Sequence, residues 1–237
     1  VWDPRELALA ARRGLEAASA RTVVEQAVHG VDALAEIQLH PLLAEAFAAA
    51  GYGVVREAPY PANSSPTLKR RDRERCDLVL TPSPDAVLID PVIELRADAA
   101  RAGTLFAGAA SPPPSPGRVS PADAFWIEIK LVGQYTHTLG VPGPNRAYGG
   151  ELTMSVARDL AKLGADPGIR DSALLLVLFT DTQATAEHDL TVALHKALDR
   201  GVRLRWPAVE RFPIPERIGN TLCTVALIPA TPSEPDA

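Results

Sequence analysis

Ten residues, "SALLLVLFTD" (172–181), limit the fold more than any other stretch of this chain. The apolar run inside them is too short to cross a bilayer and has no polar side in either the helical or the strand period. A strand of this kind must be covered on both faces, the pattern of a strand inside a sheet that carries helices above and below. Helical segments stand ready to cover it. "ELTMSVARDLAKLGA" (151–165) is amphipathic, with Leu152, Val156, Leu160 and Leu163 along one side, and "TAEHDLTVALHKALDRG" (185–201) is closed by Gly201.

The rest of the chain fits the same plan. "DPRELALAARRGLEAAS" starts a helix, with Asp3 as cap, Pro4 at the first position and Glu6 three residues after the cap. A second helical stretch is expected over 22–39. "HPLLAEAFAAAGYG" follows, where Pro41 either opens a new helix or kinks one that Gly51 ends. Strands are expected at 52–58, at "RCDLVLTP" (75–82), at "AVLIDPVIEL" (86–95), at "FWIEIKLV" (125–132), at "VRLRW" (202–206) and at "TLCTVALIPA" (221–230). Residues 101–123, dense in Pro, Ser, Gly and Ala, have no periodicity and read as an irregular excursion. "YTHTLGVPGPNRAYGG" (135–150) reads as a glycine-containing loop. The whole is one α/β domain over 1–237, with a mixed sheet between helices and with 1–29 as an N-terminal helical addition.

Chemistry gathers on two of these strands. In 125–132, Phe125, Ile127, Ile129 and Leu131 form a plain core face, while Trp126, Glu128, Lys130 and Val132 form the other. In 75–82, Cys76, Leu78 and Leu80 share one face, and Asp77 and Val79 the other. If the two strands pair, Asp77, Glu128 and Lys130 converge. Two neighbouring carboxylates repel unless a cation lies between them, and an oxygen site of this kind suits Mg²⁺ or Mn²⁺. Glu-X-Lys on a solvated strand is common, so the motif has weight only together with Asp77 and the order of elements. Trp126 is expected under a helix rather than against a base. HExxH, GxSxG and GxxxxGK[ST] are absent, and His188 and His195 have no ligand spacing.

That combination resembles the PD-(D/E)XK nuclease superfamily: an acidic residue on one strand, Glu-X-Lys on a later one, behind an N-terminal helix. Here the motif is Asp77 … Glu128-Ile129-Lys130, and the order of elements over 30–206 is similar to that restriction-endonuclease-like fold. The resemblance implies a Mg²⁺- or Mn²⁺-dependent nuclease that hydrolyses phosphodiesters, with DNA as the expected substrate. It implies metal ligation by Asp77, Glu128 and the Ile129 carbonyl, and assistance to the attacking water or the transition state by Lys130. A helix glutamate often joins such a site; Glu36 is the candidate, with Glu45 its rival. The alternative is a degenerate domain of the same fold that binds nucleic acid or a protein without cutting. Asp77 and Glu128 stand 51 positions apart, more than the short hairpin common in that superfamily, so the excursion must loop out without disturbing the pair.

Charge bears on the partner. The formal net charge is −5, which argues against a protein that coats nucleic acid non-specifically. Positive charge is concentrated, however. "LKRRDRER" (68–75) carries Lys69, Arg70, Arg71, Arg73 and Arg75, the candidate nucleic-acid contacts, and 196–217 carries six cations against three acids. Solvated charge runs are the plainer reading of both. Cys76 and Cys223 have no CxxC spacing, which argues against structural zinc and for a reducing compartment. No basic stretch followed by an apolar one opens the sequence, so a cytoplasmic protein without a signal peptide or membrane contact is expected. A homodimer or larger complex would be compatible with such a domain.

Overall fold

The computed structural model describes residues 2–61, 74–90, 117–138 and 140–232. In chain order these form α1 (Pro4–Val24), a 3₁₀ turn (Val31–Ala33), α2 (Glu36–Ala49), β1 (Gly53–Pro59), β2 (Arg75–Thr81), and two short strands, β3 (Val87–Leu88) and β4 (Arg118–Val119). There follow β5 (Phe125–Gly133), β6 (Tyr135–Thr138), β7 (Val141–Pro144), α3 (Val156–Ala165), β8 (Asp171–Thr180), α4 (Gln183–Asp199), β9 (Ala208–Pro213) and β10 (Leu222–Ala230).

Six strands make one sheet in the order β1-β2-β5-β8-β10-β9. Only β5 and β8 run parallel; every other neighbouring pair is antiparallel, so the sheet is mixed. Strand β8 is interior, and its alternating residues feed two separate cores. Ala173, Leu175, Val177 and Phe179 pack with residues of α1 and α2 on one face, including Leu7, Leu15, Leu43 and Phe47. Leu174, Leu176 and Leu178 pack on the other face with α3 and α4, including Val156, Leu160, Leu190 and Ala193. The uninterrupted apolar run thus has its physical reason: neither side of β8 meets water.

Local chemistry sets the helix boundaries. The Asp3 carboxylate accepts from the Arg5 N–H at 2.8 Å, and Pro4 needs no partner at the first position. At α2 the capping residue is Ala35, which has no side-chain oxygen; Gln38 compensates by accepting the Ala35 N–H at 2.7 Å. Pro41 lies within α2, where, lacking an N–H, it denies the Ile37 carbonyl its helical partner.

The structure corrects several expectations. The helix expected over 22–39 does not exist as such: α1 runs on to Val24, Gly30 precedes a single 3₁₀ turn, and α2 starts at Glu36. The 135–150 loop contains the β6–β7 hairpin. The first turns of the helix at 151–165 are a π segment (Glu151–Ser155) that leads into α3. Residues 202–206 contribute one bridge, Leu204 to Ala230, and the edge strand is β9 instead. Of the strand expected at 86–95, the described residues 86–90 pair only at β3, with β4, which places part of the expected excursion in a ladder. Residues 91–116, which include the rest of that expected strand and the larger part of the excursion, lie outside the described residues, as do Lys69, Arg70, Arg71 and Arg73 of the basic run.

Candidate metal and hydrolytic site

The site lies where β2 and β5 part. Their ladder pairs Leu80 with Phe125, Val79 with Trp126 and Leu78 with Ile127, and then stops. The next positions in that register are Asp77 and Glu128. The β1–β2 ladder is interrupted at the same level, between the Arg56–Leu78 and Ala58–Cys76 pairs, and Glu57 there is left-handed with φ 54°. One consequence corrects the sequence reading of β2. Cys76 does not share a face with Leu78 and Leu80; it packs with Val79 and Trp126 on the α3 side. Strict alternation fails at Asp77 because both neighbouring ladders are broken beside it.

The sequence-derived residues are brought together here. Asp77 Oδ2 accepts the Ile129 N–H at 2.8 Å. The carboxylate thereby takes the place of a strand carbonyl. In an antiparallel ladder a residue turns its N–H and C=O to the same neighbour, so the Ile129 carbonyl also faces the β2 edge. Glu128 is 7% exposed; it accepts the Tyr60 hydroxyl and holds Lys162 Nζ of α3 at 2.9 Å. Lys130 Nζ lies 2.9 Å from Glu36 Oε2 and 3.7 Å from Asp159 Oδ2. Glu36 Oε2 also accepts the Leu131 N–H at 2.9 Å, which ties the start of α2 to β5. Arg75, one of the expected nucleic-acid contacts, is half-buried and donates to the Glu57 carbonyl at 2.7 Å.

Electrostatics follows from this crowding. Burial, and then the charge of Asp77, push the Glu128 carboxyl up to about 7, against the opposing pull of Tyr60 and Lys162. The ion pair with Lys162 therefore does not win over desolvation. Asp77 is also raised, by burial first, while hydrogen bonds with the Ile129 N–H and with Glu128 work the other way. Two carboxyl groups within hydrogen-bonding reach share a proton when no cation separates them. For Lys130, burial favours the neutral amine, but its hydrogen bond to Glu36 and the charges of Glu36 and Asp159 outweigh this and hold the ammonium protonated.

His40, which sequence reasoning passed over, lies one helical turn beyond Glu36 on α2 and is 3% exposed. Its Nδ1 lies 3.8 Å from Glu57 Oε1, and its Nε2 lies 3.9 Å from Asp77 Oδ1. Neither nitrogen has a hydrogen-bond partner. His40, Glu57 and Asp77 offer ligand atoms that all lie within 4.8 Å of one another. Lys162 and Tyr60 were likewise missed, since only the fold brings these residues to Glu128. A cleft of about 470 Å³ opens beside Lys130, bordered by Glu36, Tyr135, Asn145, Glu151 and Ser155. Trp126 is fully buried and stacks on Tyr60, with its indole N–H donating to the Pro121 carbonyl at 2.8 Å.

Of the cations of 196–217, Arg211 and Arg217 are engaged within the fold. Arg217 donates to the Ala27 and Thr22 carbonyls, and Arg211 pairs with Glu187 at 3.7 Å. Trp206, in contrast, is 89% exposed, next to exposed Arg205. No helix among the described residues is long and apolar enough to cross a membrane. Comparison of the chain with protein-family models, with curated proteins and with solved structures finds no match.

Proposed function

We propose that the chain is a divalent-metal-dependent nuclease of the restriction-endonuclease-like, PD-(D/E)XK type, acting on phosphodiesters of DNA. One observation carries the reading: Asp77 and Glu128 face each other where the β2–β5 ladder ends, with Lys130 two residues on. Neither carboxyl group has the surroundings of a solvated strand edge. Both are buried enough to resist ionisation, and the charge of Asp77 raises Glu128 further, while a hydrogen bond with Glu128 works against the rise at Asp77. Such an arrangement is costly unless a cation compensates it.

The donor set fits a divalent ion. Asp77, Glu128 and the Ile129 carbonyl supply oxygen, and the orphaned nitrogens of His40 stand beside them. Asp77, Glu128 and Ile129 would hold the ion. When bound, a divalent cation supplies acidity to a water and neutralises charge at a phosphate. The protein's own groups do the remainder. Lys130, kept protonated by Glu36 and Asp159, serves as a fixed positive charge for the growing charge on the phosphate rather than as a base. Glu36 orients Lys130 and the β5 backbone, and in this role it is a positioning residue rather than a metal ligand. The cleft beside Lys130 is bordered by Asp32, Glu36 and Glu151, so a polyanion gains little there until a cation is present.

A second reading has its own support. Glu128 is already paired with Lys162, and Lys130 with Glu36, as in a domain that has exchanged catalysis for structure. Trp206 with Arg205 would then serve a protein that holds a strand by stacking and charge without cutting it. Single-stranded, duplex and branched DNA incubated with Mg²⁺ or Mn²⁺, beside a binding assay across salt, separates the two. Metal-dependent cutting is expected, with binding that weakens steeply with salt and falls several-fold in Trp206→Ala. Salt-sensitive binding with no cutting of any substrate would select the second reading.

A further inference from the structure

We infer that His40, Glu57 and Asp77 form a binding site for a first-row transition-metal dication of the Mn²⁺ or Zn²⁺ kind, one that Mg²⁺ fills poorly. The inference rests on the preceding reading for its catalytic meaning, whereas metal binding can be measured with no nucleic acid present.

The argument begins with donors and acceptors. A neutral imidazole carries one N–H and one lone pair, and an ionised carboxylate only accepts. His40 has a carboxylate at each nitrogen, Glu57 at Nδ1 and Asp77 at Nε2. Whichever nitrogen carries the lone pair therefore faces another acceptor. At 3.8 and 3.9 Å neither contact is a hydrogen bond. Both separations lie within what two metal–ligand bonds of about 2.1 Å can span. One cation takes a single imidazole nitrogen, and one nitrogen of His40 lies within 4.8 Å of an oxygen of Glu57 and an oxygen of Asp77, so that nitrogen and both carboxylates can share an ion while the other nitrogen carries the N–H.

Burial and backbone point the same way. An imidazole that is 3% exposed, with both nitrogens unpartnered, is a buried polar group left without satisfaction, and such groups are rare in native proteins. Glu57 adopts φ 54°, which a side chain with a Cβ adopts at a cost. This conformation interrupts the β1–β2 ladder opposite Asp77, in the place where the Glu57 carboxylate meets His40. The nitrogen ligand decides the metal class, because Mg²⁺ prefers an all-oxygen shell while imidazole is a ligand of first-row transition ions, Zn²⁺ foremost and Mn²⁺ more weakly. Asp77 is common to this site and to the Asp77–Glu128 pair, so the imidazole would select the ion that the proposed nuclease uses.

Isothermal titration with Mn²⁺, Zn²⁺ and Mg²⁺ tests this, with Mn²⁺ also followed by electron paramagnetic resonance. Transition metals bind most carboxylate sites more tightly than Mg²⁺ does, so the informative quantity is how the preference depends on His40. In the unmodified protein Mn²⁺ should bind at least tenfold more tightly than Mg²⁺. His40→Gln should remove most of that preference, and its nitrogen hyperfine signature should vanish. His40 is buried and its replacement could disturb folding, so Glu57→Gln, with a half-exposed side chain, provides a second arm. It should weaken Mn²⁺ about tenfold with an unchanged circular dichroism spectrum. Equal preference in the unmodified protein and in a folded His40→Gln variant would overturn the inference, as would undiminished Mn²⁺ binding by Glu57→Gln. Mn²⁺ held through His40 in a protein that cuts nothing would support it while removing the nuclease reading. Cutting with Mg²⁺ alone, alongside Mn²⁺ affinity that ignores His40, would do the reverse.

Discussion

Glu128 is the residue at which the proposed chemistry and the stability of the fold meet. Its carboxyl is raised from 4.5 to about 7, so the folded protein holds a proton there more tightly than the unfolded chain does. The stability this group contributes is full below pH 4.5 and is lost as pH rises through 7. Asp77 is raised as well and adds in the same direction. Metal-free protein should thus lose roughly 2 kcal/mol between pH 5 and 8, several degrees in Tm, and Glu128→Gln should flatten that slope. Thermal unfolding in chelator across this range checks it. A slope unchanged in Glu128→Gln would place the titrating group elsewhere. Glu128 and Lys130 were legible because a strand period exposes two charges on one face of an otherwise apolar strand. Asp77 was legible as an acid on an otherwise apolar strand, although the alternation that assigned the faces of β2 fails there. His40 was not, since a histidine on an alanine- and leucine-rich helix carries no local mark of its partners. Nor was Glu57, whose direction depends on a left-handed backbone that neither Arg56 nor Ala58 announces.

Among the elements, β8 was the most legible and also the most consequential. Leu175 packs toward α1 and α2, and Leu176 toward α3 and α4, both fully buried. Leu175→Ala and Leu176→Ala should each destabilise by about 2–5 kcal/mol, because each leaves a cavity in a different core. The two sites share few partners, so the double variant should cost close to the sum, within the limits set by their being neighbours in one strand. Denaturant unfolding of the three variants measures this, and a large cost at only one of the two positions would contradict a strand covered on both sides. Elements with weaker patterns were read less well. "PAVERFP" (207–213) has Pro at both ends and charges within, which are usual edge-strand features but a faint strand signal. The alternation in "VRLRW" imitates a strand, yet it earns only one bridge because β9 takes the edge of β10. The error at 22–39 came from a helical composition that continues past Val24, although Gly30 ends any regular helix before α2.

At the scale of the whole molecule, a net-negative body carries a buried, partly protonated acidic centre flanked by lysines from β5 and α3. The sheet places the centre between α2 and α3, so that one helix supplies Glu36 and His40 while the other supplies Asp159 and Lys162. Sequence patterns gave the layers, because apolar periodicity is local; the two helices' polar contributions needed the packing itself. The most direct test is the rate of phosphodiester hydrolysis by Asp77→Asn and Lys130→Ala, each beside the unmodified protein, with Mg²⁺ and with Mn²⁺. Both variants should fold and retain most nucleic-acid affinity while cleavage falls by about 100-fold or more. Cleavage that proceeds unchanged in both would show that this centre does not perform the chemistry.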